Sequence, residues 1–365
     1  MNILIVKLSA VGDVVHTLPA LAALRQLYPR DHITWVIEEA AADLIIGHPD
    51  LDGVIVFNRK LWISGIRRGR LKVVGRDVKS FFKTLRDRPY DLVIDFHGLF
   101  KSAVVVAASG GRRKLGYDSL QELSGLFYNE KIPEDMGKHA VERYLDFLSY
   151  LGAEREEPSF HIPTSSKNTG YVTALLQEQG IDRETTPFVA VNPVALWDTK
   201  LWDRRKFADL AARIVQECGL PVIFTGSLKE KSYITDILGL IPSKSIVDLA
   251  GKTSLKDLAC LYGMAELVIT TDSGPMHIAA AMETPVVALF GPTDPDRTGP
   301  YGEGHTVVRS SVPCSPCFRK QCDPCRCMES IGVDNVFDAV KETLGMKKIK
   351  KEGWPEERPE ERKEG

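Results

Sequence analysis

Leu267 to Ala281 read LVITTDSGPMHIAAA: a β-branched run ends at Thr271, a turn of small polar residues follows, and an apolar helical pattern begins near Pro275. A strand feeding a helix through so tight a turn is the repeating unit of a parallel α/β sheet. The turn also has chemistry of its own. Ser273 and Gly274 are small enough to bring backbone amides close to a ligand, and the first amides of a helix carry its positive dipole end. That arrangement suits a pyrophosphate, with His277 on the first helical turn as a further donor. The competing reading is a plain capped helix start with a solvated histidine. Asp272, Ser273, Gly274 and His277 together are more than such a turn needs.

The same alternation continues on either side. Phe188–Asn192, Pro221–Thr225, Ser245–Asp248 and Pro285–Phe290 read as further strands, with helices over Phe207–Glu217, Leu255–Tyr262 and Met276–Met282. The first half repeats the scheme, with strands at Ile3–Lys7, Ile33–Ile37, Gly53–Phe57 and Leu92–Phe96 and a helix at Leu18–Leu27. Each half reads as a doubly wound sheet. At 365 residues the chain is long enough for two domains, given roughly 150 residues per domain.

The expected boundaries are an N-terminal Rossmann-like domain over 1–166, a connector over 167–187, a C-terminal Rossmann-like domain over 188–330 and a helix over 331–346. Residues 347–365 are mostly charged with Pro and Gly, and read as a disordered tail. Two such domains facing one another place a cleft between the carboxyl edges of their sheets, where open α/β sheets bind ligands. The fold class alone names no reaction.

Composition narrows the classes. The formal net charge of −2 argues against a nucleic-acid binder. No stretch reaches the ~18 apolar residues that span a bilayer. The N-terminal run reads as a buried strand and not a signal peptide, so a cytoplasmic protein is expected. Cys218 and Cys260 sit alone in apolar stretches and read as core residues.

Further segments fall at the expected sheet edges. Lys7-Leu-Ser-Ala-Val-Gly-Asp13 follows the first strand. Asp13 is either a helix cap or a carboxylate able to take a proton from a hydroxyl. Pro19 leaves the helix start open between Gly12 and Leu18. Neither a G-x-G-x-x-G nor a P-loop fingerprint is present. Gly291-Pro-Thr-Asp-Pro295 is a rigid loop at the same edge. The loop from Asn192 to Trp202 carries Lys200, which reads either as an ordinary solvated loop lysine or as a cation that neutralises a leaving diphosphate. Thr225-Gly-Ser-Leu-Lys-Glu230 places an acid after a strand, where it can bind ribose hydroxyls or simply favour a helix start.

Arg59–Arg88 holds eleven basic residues, among them Arg59, Lys60, Arg67 and Arg68, opposed only by Asp77 and Asp87. Such a run is usually a solvated face, but it can receive an anionic acceptor or lipid surface. Five cysteines follow as Cys314-x₂-Cys317-x₄-Cys322-x₂-Cys325-x-Cys327. Their spacing fits either a structural metal or buried reduced thiols.

Taken together, KLSAVGDVVHTLPAL, DFHGLFKSA at Asp95–Ala103, LFYNEK, HAVERY at His139–Tyr144, TTDSGPMHIAAA and LFGPTDP resemble the ADP-heptose:lipopolysaccharide heptosyltransferases. This is a family of inverting GT-B glycosyltransferases, and the first-heptose subgroup is the most similar. The pieces cover nearly the whole chain except the tail.

The resemblance implies Asp13 as general base. It implies Lys200 at the departing diphosphate, assisted by His277 and the amides around Ser273 and Gly274. Glu230 would hold the ribose, Asp272 the donor sugar, and Thr271 would line the same donor site. Arg59, Lys60, Arg67, Arg68 and His139 would receive the acceptor. It further implies ADP-heptose as donor, Kdo–lipid A as acceptor, peripheral contact with the inner face of the inner membrane, and no cofactor or catalytic metal. The alternatives are a transferase or epimerase using another sugar nucleotide, and a non-catalytic binder of lipopolysaccharide precursors. A dehydrogenase is disfavoured by the missing glycine fingerprint.

Overall fold

The computed structural model describes residues 1–119, 121–241 and 243–352. Among the described residues the strands form two six-stranded parallel sheets. The first contains β1 (Asn2–Val6), β2 (His32–Glu38), β3 (Gly53–Phe57), β4 (Leu92–Asp95), β5 (Arg113–Tyr117) and β6 (Glu130–Ile132), ordered β3-β2-β1-β4-β5-β6. The second contains β7 (Val189–Asn192), β8 (Val222–Phe224), β9 (Ile246–Asp248), β10 (Leu267–Thr271), β11 (Val286–Phe290) and β12 (Thr306–Arg309), ordered β12-β11-β10-β7-β8-β9. Numbered from its own first strand, the second sheet has the same order as the first. Both follow the nucleotide-binding arrangement, whose direction reverses beside the first strand. The reversal falls between β1 and β4, paired Ile3 to Leu92, and between β7 and β10, paired Val189 to Leu267.

The helices of the first half are α1 (Val11–Leu27), α2 (Arg59–Arg67), α3 (Leu71–Leu85), α4 (Phe100–Ser109) and α5 (Ala140–Tyr150). Those of the second are α6 (Ser166–Glu178), α7 (Arg204–Arg213), α8 (Lys231–Leu238), α9 (Leu255–Met264), α10 (Gly274–Ala281), α11 (Pro295–Thr298), α12 (Arg326–Glu329) and α13 (Val333–Glu352). Helices on both faces explain why Ile3, Leu4, Ile5 and Val6 are all fully buried.

Several elements differ from the sequence expectation. Helix α1 begins at Val11, and Pro19 lies inside it without ending it. β5, β6 and β12 were not foreseen, because RKLGY, EKI and TVVR lack the apolar runs of the central strands. The stretch read as a connector contains most of α6, which packs on α9 of the second half; Asn168 donates to Asp257 at 2.8 Å. The chain therefore crosses between halves in the segment after α5 and before α6. Of the expected charged tail, 347–352 continue α13 and 353–365 lie outside the described residues.

The two halves share an apolar core. One buried cluster joins Val14, Leu18 and Leu21 of α1 to Met276 and Ile278 of α10 and Leu258 and Leu261 of α9. The carboxylate of Asp43 accepts from the Lys256 amide at 3.0 Å, adding a polar tie at the rim. Among the described residues no helix is long and apolar enough to cross a membrane.

Candidate active site

The two sheet-reversal points face each other across the junction, and the residues singled out in sequence collect around them. On the first side, β1 runs directly into the buried Lys7, whose ammonium donates to the Phe96 carbonyl at 3.0 Å and to the Tyr144 hydroxyl. Three more residues of turn, Leu8 to Ala10, then lead into α1, whose N-cap is Ala10. Asp13 occupies the third helical position and is not the cap. Its Oδ2 accepts from the Ala10 amide at 3.0 Å, while its Oδ1 lies 4.0 Å from Lys7 Nζ. The Asp13 side chain is 41% exposed, so this carboxylate opens to the cleft while Lys7 stays beneath it.

Burial pushes the Asp13 carboxyl up, but the Lys7 ammonium and the Ala10 amide outweigh it and hold the group below its ordinary value. Burial likewise pulls Lys7 down from its ordinary value. Asp13, held below its ordinary value, is ionised at neutral pH.

On the second side, β7 leads into a loop that turns Lys200 inward. Lys200 Nζ lies 2.5 Å from Asp272 Oδ2 and 4.5 Å from the centre of the Trp197 ring. This lysine is 16% exposed and engaged, unlike an ordinary loop lysine. Asp272 follows β10 and also accepts from Thr293 at 2.6 Å, so three loops after β7, β10 and β11 meet at one carboxylate. Ser273 caps α10 and Pro275 fills its first turn. The amides that begin α10 are therefore presented beside the Lys200–Asp272 pair.

The two helix starts touch. A Cβ on Gly12 would come within 2.3 Å of the His277 ring, and one on Gly274 within 2.8 Å of Val11 Cβ. Each glycine is thus the hole into which the other half fits. His277 is buried and its Nδ1 lies 2.9 Å from His16 Nε2. Burial pushes His277 down to about 4, and His16 falls well below its ordinary value for the same reason. His277 is consequently neutral at physiological pH and offers a hydrogen bond, not a charge. Positive charge near a diphosphate must come from Lys200 and the helix end.

The remaining assigned residues are distributed more widely. Glu230 lies on the turn after β8, beside β7, and its Oε2 accepts from the Ser227 amide at 2.7 Å. Thr271 is fully buried and donates to the Val194 carbonyl at 2.9 Å, tying β10 to the lysine loop. Arg59 begins α2 and its Nε lies 3.1 Å from Glu38 Oε1, while Lys60 and Arg67 of the same helix and Arg68 just past its end are exposed. His139 caps α5: Nδ1 accepts from the Val141 amide at 3.2 Å, Nε2 lies 3.1 Å from the Gly299 carbonyl, and the ring meets His16. It stands at the junction between halves and not on the basic face with Arg59 and Lys60.

Three participants were missed. Lys101 bridges Glu38 and Ser9 at 2.9 and 2.8 Å, pinning the turn before Asp13. Lys7 and His97 flank the same carboxylate. Burial, with Lys7 and Lys101 nearby, pushes His97 down to about 3. Lys7 and His97 each directly follow, or nearly follow, a central strand, and that position was the available signal.

Two nucleotide-binding folds, with a helix start and a lysine on one side and a charged carboxylate on the other, define a nucleotide-sugar glycosyltransferase. The chain matches glycosyltransferase family 9 (heptosyltransferase) over residues 78–326, and it belongs to that family. It is 30% identical over 331 residues to lipopolysaccharide heptosyltransferase 1 of Pseudomonas aeruginosa, covering 88% of this chain and 87% of the relative. The family 9 glycosyl transferase structure of Veillonella parvula superposes with TM-score 0.80 at 25% identity, over 94% of this chain and 97% of that one. The E. coli heptosyltransferase WaaC with ADP-2-deoxy-2-fluoro heptose gives TM-score 0.73 at 25% identity, over 94% and 99%. The GT-B architecture and the glycosyltransferase class expected from sequence are thereby borne out.

Proposed function

We propose that this enzyme transfers a heptose from ADP-heptose to the Kdo–lipid A inner core of lipopolysaccharide, with inversion at the anomeric carbon. One observation carries the reading: Asp13 and the Lys200–Asp272 pair occupy the two sheet-reversal points, held face to face by Gly12 and Gly274. The name of the P. aeruginosa relative and the donor analogue in the E. coli structure support the choice of substrates.

In the proposed step, Asp13 accepts the proton of an acceptor hydroxyl as its oxygen attacks the anomeric carbon. The bond from that carbon to the diphosphate breaks, and ADP leaves with the electron pair. Lys200 and the amides of Ser273 and Gly274 neutralise the departing charge, which needs no metal ion for the purpose. His277 adds a neutral hydrogen bond, Asp272 contacts the heptose, and Glu230 holds the ribose, with Thr271 fixing the lysine loop behind them.

Arg59, Lys60, Arg67 and Arg68 receive the anionic acceptor, and His139 steadies the junction. On the same face Leu61, Ile66 and Leu71 are 62, 53 and 64% exposed among these cations. Such a surface suits peripheral contact with an anionic membrane, here the cytoplasmic face of the inner membrane.

The test is ADP release from purified enzyme given ADP-heptose and Kdo₂–lipid A, with Asp13→Ala in parallel. Acceptor-dependent release that collapses in the variant is the expected result. Release only with a different sugar nucleotide would remove heptose from the reading while leaving the transferase class intact.

A further inference from the structure

We infer that the loop from Cys314 to Cys327 is a structural metal site, holding a thiophilic divalent ion, zinc or iron(II), in a cage of cysteine thiolates. The ion stands outside the transfer reaction and braces the donor side of the cleft.

All five cysteines of the loop line one cavity of about 270 Å³, together with Thr199 and Pro292. Their order in sequence gives two C-x₂-C pairs, the spacing with which a short loop offers two sulfurs to one ion. The Cys325 and Cys327 sulfurs are 3.7 Å apart. Tetrahedral coordination with metal–sulfur bonds of about 2.3 Å sets ligand sulfurs about 3.8 Å apart. That pair is at ligand spacing.

All five are free thiols in this structure. Among the described residues no three ligands already surround one point. Cys314 and Cys322 are exposed and line the same cavity, and on binding one of them would complete a set with Cys317, Cys325 and Cys327. A four-thiolate cage would carry net negative charge, and Arg319, Lys320 and Arg326 lie in the same loop to offset it.

The loop is fastened to both donor-binding loops. The Cys317 and Phe318 amides donate to the Pro292 carbonyl at 3.0 and 2.8 Å, next to Thr293, which holds Asp272. Thr199 donates to the Arg319 carbonyl at 2.8 Å and its own carbonyl accepts from Cys325 Sγ at 3.2 Å, next to Lys200. An ion that rigidifies 314–327 therefore rigidifies the Lys200–Asp272 pair.

The test is elemental analysis of the full-length enzyme, purified anaerobically under reducing conditions from medium supplied with zinc and iron. The expected result is about one equivalent of one metal, lost in Cys325→Ser/Cys327→Ser and in Cys317→Ser. Stripping the ion from the wild-type chain lowers its melting temperature and raises the KM for donor, and adding zinc restores both. Less than about a tenth of an equivalent of either metal, with no rise in melting temperature when zinc is added to reduced protein, overturns the inference. So does a Cys325–Cys327 disulfide found by mass mapping of protein purified with reductant, or full metal content in the serine variants. Metal content is read without substrate, so failure here leaves the proposed transfer reaction standing, and the reverse holds as well.

Discussion

At the scale of single residues, Asp13 and Lys7 form the unit on which the proposed chemistry turns. A positioned base contributes about 10²–10⁴-fold. Asp13→Asn is therefore expected to lower kcat by at least about 10²-fold while ADP affinity, measured by calorimetry, stays close to wild type. Lys7 beneath it sets when the base loses its charge. Removing a positive neighbour destabilises the carboxylate, so Lys7→Met raises the Asp13 pKa and moves the acid limb of the kcat/KM profile to higher pH. An unmoved limb would show that another group titrates there. For Asp13 the residues alone left two readings, a helix cap or a cleft carboxylate, and the fold sets it third in α1 with its side chain 41% exposed toward the cleft. Lys7 was not legible in sequence, because a lysine closing an apolar run reads as a strand end, and only the fold reveals Phe96 and Tyr144 around it.

At the scale of elements, the contact between α1 and α10 decides how accurately the two half-sites meet. Alanine at Gly12 suits a helix better than glycine, by about 1 kcal/mol. Its methyl would nonetheless occupy the space of the His277 ring, 2.3 Å away. Gly12→Ala is thus expected to keep the fold and to lower kcat/KM by about 10²-fold, the scale of loss from a displacement of about 1 Å. Thermal melting beside kinetics checks both halves of that statement. The strands with Val and Ile runs were readable, and Gly53–Phe57 and Leu267–Thr271 coincide with β3 and β10. Two of the four edge strands were not: β6 (EKI) and β12 (TVVR) are short, and they gain their place from the neighbour they pair with. Nor did sequence show that α6 belongs to the second half, since its partner α9 lies far along the chain.

At the scale of the whole molecule, the histidines at the junction make its stability depend on pH. His16, His139 and His277 all have lowered pKa values in the folded chain, burial being the first cause in each. Their unfolded value is near 6.5. Below it the unfolded chain binds more protons, so the stabilisation present above pH 6.5 is lost as pH falls toward about 4, the folded value of His277. That span corresponds to at most about 3 kcal/mol for His277. The melting temperature is expected to fall between pH 7 and pH 5, and to fall less in His16→Asn, as scanning fluorimetry would show. The basic, apolar-studded face of α2 and α3 acts at the same scale. Sedimentation with vesicles rich in anionic lipid should carry the enzyme down at low salt and release it at high salt, with Arg67→Glu/Arg68→Glu abolishing the effect.

The abutting starts of α1 and α10 have one more consequence. Both ends carry partial positive charge, so the two halves meet like poles of a magnet, with Asp13 softening one end and Asp272, tied up by Lys200, beside the other. A diphosphate lodged beside that seam serves as the missing opposite pole. The sugar donor would then be mortar as well as cargo, drawing the halves together on arrival, and spent ADP would go on holding them after the sugar has left. In an enzyme so held, letting go would be the slow step, and the compounds that stop it best would carry their negative charge to the seam and keep it there.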